Sequence, residues 1–136
     1  MATFTKINSF VENLAEKLID LSGAFLTVAL TNTAHTSTWD ELADLTQVSY
    51  IYCSTRVLTV SSSAQTSGTY KLVLADLVLT ASGGAVGPFR YIYIYDDGST
   101  GDKLIAYYDY GSSITLNDGE TFTIDFDGSA GVLTIA

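Results

Sequence analysis

The sequence predicts a mainly β protein, an antiparallel β-sandwich with one N-terminal α-helix packed on or beside it. Three observations carry this expectation. From Phe25 onward, apolar residues recur at every second position. Turn-forming clusters separate these short apolar runs at the spacing of a sandwich or barrel. A long apolar stripe with helical spacing occurs only near the N-terminus.

The elements follow in order. Residues 1–8 are a short polar arm carrying Phe4 and Ile7. A helix is expected over 9–22. Ser9 and Glu12 have the spacing of a capping box. Phe10, Leu14, Leu18 and Leu21 form one stripe, and Gly23 is the natural stop. Leu26, Val28 and Leu30 alternate with Thr27, Ala29 and Thr31, as in a strand with one buried face. A polar loop over 32–37 holds His35, and Thr38 and Glu41 suggest one helical turn. Residues 47–60 read as one or two strands, and the serine-rich stretch 61–69 as a loop. Tyr70–Thr80 is apolar apart from Asp76. Phe89–Tyr95 and Lys103–Tyr110 flank an acidic turn and read as a hairpin. A short strand over 112–116 leads into Asn117-Asp118-Gly119, a hairpin turn, and then an alternating strand over 120–126. Val132–Ile135 closes the fold. The whole of 1–136 reads as one domain, with no internal repeat and no linker.

The predicted hairpin is unusual because both of its faces are apolar. Phe89, Tyr91, Tyr93 and Tyr95 alternate with Arg90, Ile92 and Ile94, and Tyr108 and Tyr110 follow on the returning strand. An antiparallel strand with one solvated face would be polar there. Either the N-terminal helix covers the tyrosine face, or that face is a contact surface, where tyrosine is enriched.

Composition narrows the function. Apolar residues make up 47% and charged residues 15%, with net charge −9. Nucleic acid is a poor partner, because binding it needs cations that displace phosphate counterions. An anionic membrane surface is disfavoured in the same way. The first twenty residues carry Glu12, Glu16 and Asp20 and have no signal-peptide h-region. Cys53 stands alone, so it forms no intrachain disulfide, and its apolar neighbours suggest a buried thiol.

No catalytic or cofactor-binding constellation is found. His35 is the sole histidine and is expected to be an exposed loop residue. One Cys and one His cannot close a zinc shell. Asp125-x-Asp127-Gly128 begins like a calcium loop but lacks the later Glu. The glycines at 83, 84 and 87 are not followed by the Lys-Ser/Thr of a phosphate loop.

Several segments together carry a resemblance. They are Lys6–Glu12, Leu26–Thr33, Leu42–Thr46, Thr66–Leu72, Gly84–Tyr91, Tyr108–Gly111 and Asp118–Phe122. Over nearly its whole length, the chain resembles a group of small virion structural proteins of tailed bacteriophages. The resemblance implies a capsid decoration (cement) protein, of the kind that sits on the outer capsid lattice, often as a trimer. Such a protein is assembled in the host cytoplasm and carried in the virion. The implied partners are the major capsid protein and other copies of the chain. No catalytic residue, metal or cofactor is implied. Candidate contact residues are Phe4, Ile7, Tyr91, Tyr93, Tyr95, Tyr108 and Tyr110. The alternative is a tail-fibre or tail-tip protein that recognises host-surface carbohydrate.

Overall fold

The computed structural model describes residues 2–23 and 25–136. The N-terminal helix is much shorter than its apolar pattern. It runs over Phe10–Ala15 (α1) rather than 9–22. Lys17 ends it by taking the left-handed conformation at φ 67°. The Lys17 and Leu18 amides then donate back to the carbonyls of Leu14 and Asn13 at 3.2 and 2.8 Å. These crossed bonds are a Schellman terminus, so Gly23 has no part in stopping the helix. The expected capping box also fails, because Ser9 Oγ donates to Asp40 Oδ1 at 2.6 Å instead. Leu18, expected on the apolar stripe, is 40% exposed, whereas Ile19 and Leu21 beyond the helix are buried.

The described residues form β1 (Thr5–Lys6), β2 (Leu26–Thr31), β3 (Val60–Thr66), β4 (Thr69–Leu74), β5 (Leu77–Thr80), β6 (Val86–Asp96), β7 (Lys103–Leu116), β8 (Thr121–Ile124) and β9 (Leu133–Ile135). All strand pairs are antiparallel. A four-stranded sheet has the order β1-β7-β6-β2, a three-stranded sheet the order β3-β4-β9, and β5 pairs with β8. The expected mainly β, antiparallel character holds. One core joins the sheets: Leu72, Leu74, Leu79 and Ile124 from the smaller sheets, with Phe126 just beyond β8, cluster with Leu26, Val28, Leu30, Ile92 and Ile94. Each such side chain contributes about 1.5–3 kcal/mol when fully buried.

Pairing departs from the local pattern in several places. The serine-rich stretch expected as a loop is the edge strand β3, turned at Ser67-Gly68. Its polar side chains suit an edge with one face in solvent. The expected strands in 47–60 are largely an irregular strap along the free edge of β2. Val28 donates to the Arg56 carbonyl, Val48 to that of Leu30 and Leu58 to that of Leu26, at 2.8–3.0 Å. The Tyr50 hydroxyl accepts from the Leu30 amide at 2.9 Å, and Arg56 Nη1 donates to the Val28 carbonyl at 2.6 Å. With its edge satisfied in this way, β2 is buried at all six positions, not on one face alone. The expected short strand 112–116 is a continuation of β7. The 117–119 turn does not close a hairpin, because β8 pairs with β5 in another sheet. A turn motif fixes local direction but leaves the next strand's partner to packing.

Candidate interaction groove

The two-sided hairpin is built by β6 and β7. Tyr93 opposes Tyr107, Ile92 opposes Tyr108, and Tyr91 opposes Asp109. Irregularities between Phe89 and Tyr91, and between Ile94 and Tyr95, break the simple alternation. Tyr91, Tyr93 and Tyr95 are buried, so these candidate contact residues are interior. The cover over Tyr93 is not the helix but the loop after β2. The His35 ring stacks on Tyr107 at 4.4 Å and 25°, and His35 Nδ1 lies 2.8 Å from the Tyr93 hydroxyl. Trp39 packs edge-on against His35 and tilted against Tyr93. Burial pushes the Tyr93 phenol strongly upward and His35 downward, so both favour the neutral form. The expectation that His35 is an exposed loop residue is therefore corrected.

Ile7 is also interior. Its amide donates to the Ile105 carbonyl at 3.0 Å and its side chain is fully buried. The arm is not a free appendage from residue 5 onward, because β1 adds it to the sheet beside β7.

Phe4, Tyr108 and Tyr110 are brought together. They line one groove of about 380 Å³ with Ile92, Phe122 and Phe126. Phe4 meets Tyr108 edge-on, with centroids 6.0 Å apart at 74°. Tyr110 meets Phe122 at 5.5 Å and 62°, and Tyr108 leans on Phe126 at 6.3 Å. Phe122 is fixed from behind by fully buried Phe89, edge-on at 5.5 Å. The Phe126 amide is held by Asp76 Oδ1 at 2.9 Å, which accounts for the odd carboxylate in an apolar run. Burial pushes the Tyr108 hydroxyl up to about 12, so it stays protonated.

Asp125 and Asp127, both exposed, form the groove's rim. Asp127 Oδ1 accepts the amides of Ser129 and Ala130 at 2.8 Å each. The Ala130 and then the Ser129 bond hold its carboxyl below the ordinary range. Alternation over 120–126 marks Phe122 and Phe126 as strand residues, whereas β8 ends at Ile124 and leaves Phe126 just beyond it. No signal in the sequence joins them to Phe4, because the three meet only through tertiary packing.

Other sites offer less. Arg90 and Asp109 form a two-pronged surface pair at 2.8 and 3.1 Å. Cys53 is free and half-buried, and burial raises its thiol. Among the described residues, no group of three or more His, Cys, Asp or Glu is placed to hold a metal ion. Among them, no helix is long and apolar enough to cross a membrane. The groove's apolar rings and carboxylates equip it for binding, as a small number of polar groups on an apolar wall orient a ligand. Compared with known protein families, curated proteins and solved structures, the chain matches none.

Proposed function

We propose that this protein is a small virion structural component of a tailed phage, a capsid decoration protein without catalytic activity. It binds the major capsid protein and other copies of itself, braces the head, and resides in the virion. The observation that carries this reading is the aromatic groove. Its wall includes Tyr110, which is 51% exposed, with Phe4 and Tyr108 beside it. Aromatic side chains in a partly desolvated recess are the usual anchors of protein contacts. The likeness of the sequence segments to small phage virion proteins supports the same reading.

The test is co-sedimentation with expanded, undecorated capsids. Wild-type protein is expected to bind, and Phe4→Ala and Tyr110→Ala are expected to lower occupancy while keeping the wild-type circular dichroism spectrum. Failure of the wild type to bind refutes the proposal. Deleting the arm as far as residue 7 is a poor test, because it removes the buried Ile7.

A second reading, recognition of host-surface saccharide at the tail, is favoured by Asp125 and Asp127 beside Tyr110 in the groove. Rings can stack on a sugar's C–H face, and carboxylates accept its hydroxyls. Immunogold labelling separates the two: even coverage of the head supports decoration, and a few copies at the tail support saccharide recognition.

A further inference from the structure

We propose that the groove receives an arginine or lysine side chain carried on an apolar segment of the partner protein. This inference rests on the docking reading and names the chemistry of the docked segment.

Charge is the first argument. Among the described residues lining the groove, the charged ones are Asp125 and Asp127, and none is basic. Lys71 lies outside the lining and donates Nζ to the Ser129 carbonyl at 2.9 Å, so its charge offsets part of the Asp127 field without pairing with that carboxylate. Asp127 uses Oδ1 for the turn amides. Its Oδ2 remains available to an incoming donor, as does the Asp125 carboxylate. The chain's net charge of −9 draws a basic segment toward it, and the rim carboxylates give that attraction a position.

Ring geometry is the second argument. The Phe4–Tyr108 and Tyr110–Phe122 pairs meet at 74° and 62°. They make corners rather than a flat platform. A corner wraps the methylene stem of a long cationic side chain and offers ring faces to its charged end. A pyranose stacks on a flat face, which rings meeting at 74° and 62° do not offer. The volume of about 380 Å³ lies near the lower end for ligand sites, suited to one long side chain and an apolar neighbour.

The experiment titrates ¹⁵N-labelled protein with acetyl-Leu-Arg-Leu-amide, acetyl-Leu-Gln-Leu-amide and maltose. It uses the wild type and the double variant Asp125→Asn/Asp127→Asn. The asparagine at 127 keeps an Oδ1 acceptor for the turn. The arginine peptide is expected to shift the Tyr110 and Phe122 amides and to bind about tenfold more tightly than the glutamine peptide. That preference disappears in the double variant and weakens at high salt. Equal binding of both peptides, an unchanged preference in the double variant, no binding, or maltose alone shifting these amides overturns the proposal. Capsid binding separates this inference from the reading beneath it. If wild type and double variant bind capsids equally, the cationic anchor is refuted and docking stands. If neither binds capsids but the arginine peptide selects the groove, docking is refuted and the anchor stands.

Discussion

Asp40→Ala is expected to loosen the N-terminal segment, and its cost follows from the donors that converge on this carboxylate. Ser9 Oγ and Asn13 Nδ2 donate to Oδ1 at 2.6 and 2.7 Å, and Lys103 Nζ donates to Oδ2. The contact ties α1 to the start of β7. The donors do not suffer equally when it is removed. Lys103 keeps Glu41 Oε1 at 2.8 Å, and Ser9 is half-exposed and can turn to water. Asn13 is 6% exposed and loses its side-chain partner. An unsatisfied buried amide costs about 1–3 kcal/mol. The Lys103 pair adds little, because the Asp40 side chain is 33% exposed and solvent screens it. The sum is about 2–3 kcal/mol, which moves a urea midpoint down by roughly 1 M at ordinary m values. Asp40→Asn keeps an acceptor for Asn13 and is expected to cost about 1 kcal/mol.

The pH dependence supplies a second arm of the same test. Burial opposes ionisation of Asp40, but Lys103, Ser9 and Asn13 together outweigh it and hold the carboxyl below 3.8. A depressed carboxyl stabilises the fold above its unfolded value, and that stability is lost as pH falls through the folded value. The gap between wild type and Asp40→Asn therefore narrows as pH falls below about 3.8 toward the folded value. Urea unfolding of the three proteins at pH 7 and pH 3 measures both effects. An Asp40→Ala midpoint matching wild type at pH 7, or a gap unchanged in acid, refutes the reasoning.

Three further outcomes are expected. Burial lowers His35 from 6.5, so its contribution to stability is present above that value and fades as pH falls toward the folded value; an NMR titration placing His35 at or above 6.5 contradicts this. Gly87→Ala puts a methyl 2.7 Å from the Ile114 carbonyl at φ +122°, at a cost of about 2–4 kcal/mol. Gly84→Ala meets only the ring of Tyr52, which is half in solvent and can swing aside, so less than about 1 kcal/mol is expected; similar melting temperatures for the two variants would remove the distinction. Phe89→Ala should cost about 3–5 kcal/mol by calorimetry, whereas Tyr110→Ala loses only its ring contact with Phe122 and should cost about 0.5–1.5 kcal/mol.

What could be read before folding was local. The two-residue period of Leu26–Thr31 and of 120–126, the acidic turn between β6 and β7, and Asn117-Asp118-Gly119 each act over a few residues. Such signals determine which stretches become strands and where the chain reverses, and so the β class and the β6–β7 hairpin. The helix end was less legible, because a left-handed Lys17 carries no signature and costs only about 1–2 kcal/mol. The polar run Val60–Thr66 looks like a loop until β4 pairs with it.

Tertiary structure alone decided which tyrosines are interior and which stay accessible. An aperiodic loop laid His35 and Trp39 over Tyr93 and Tyr107, and β1 drew Ile7 inside. Phe4 had to travel with the arm to meet Tyr108, while β8 had to pair with β5 for Phe122 and Phe126 to reach the same groove. The physical reason is range. Periodicity and turn chemistry are set by neighbours in the chain, whereas burial and site geometry depend on contacts between residues far apart in sequence, and one strand pattern is compatible with many such pairings.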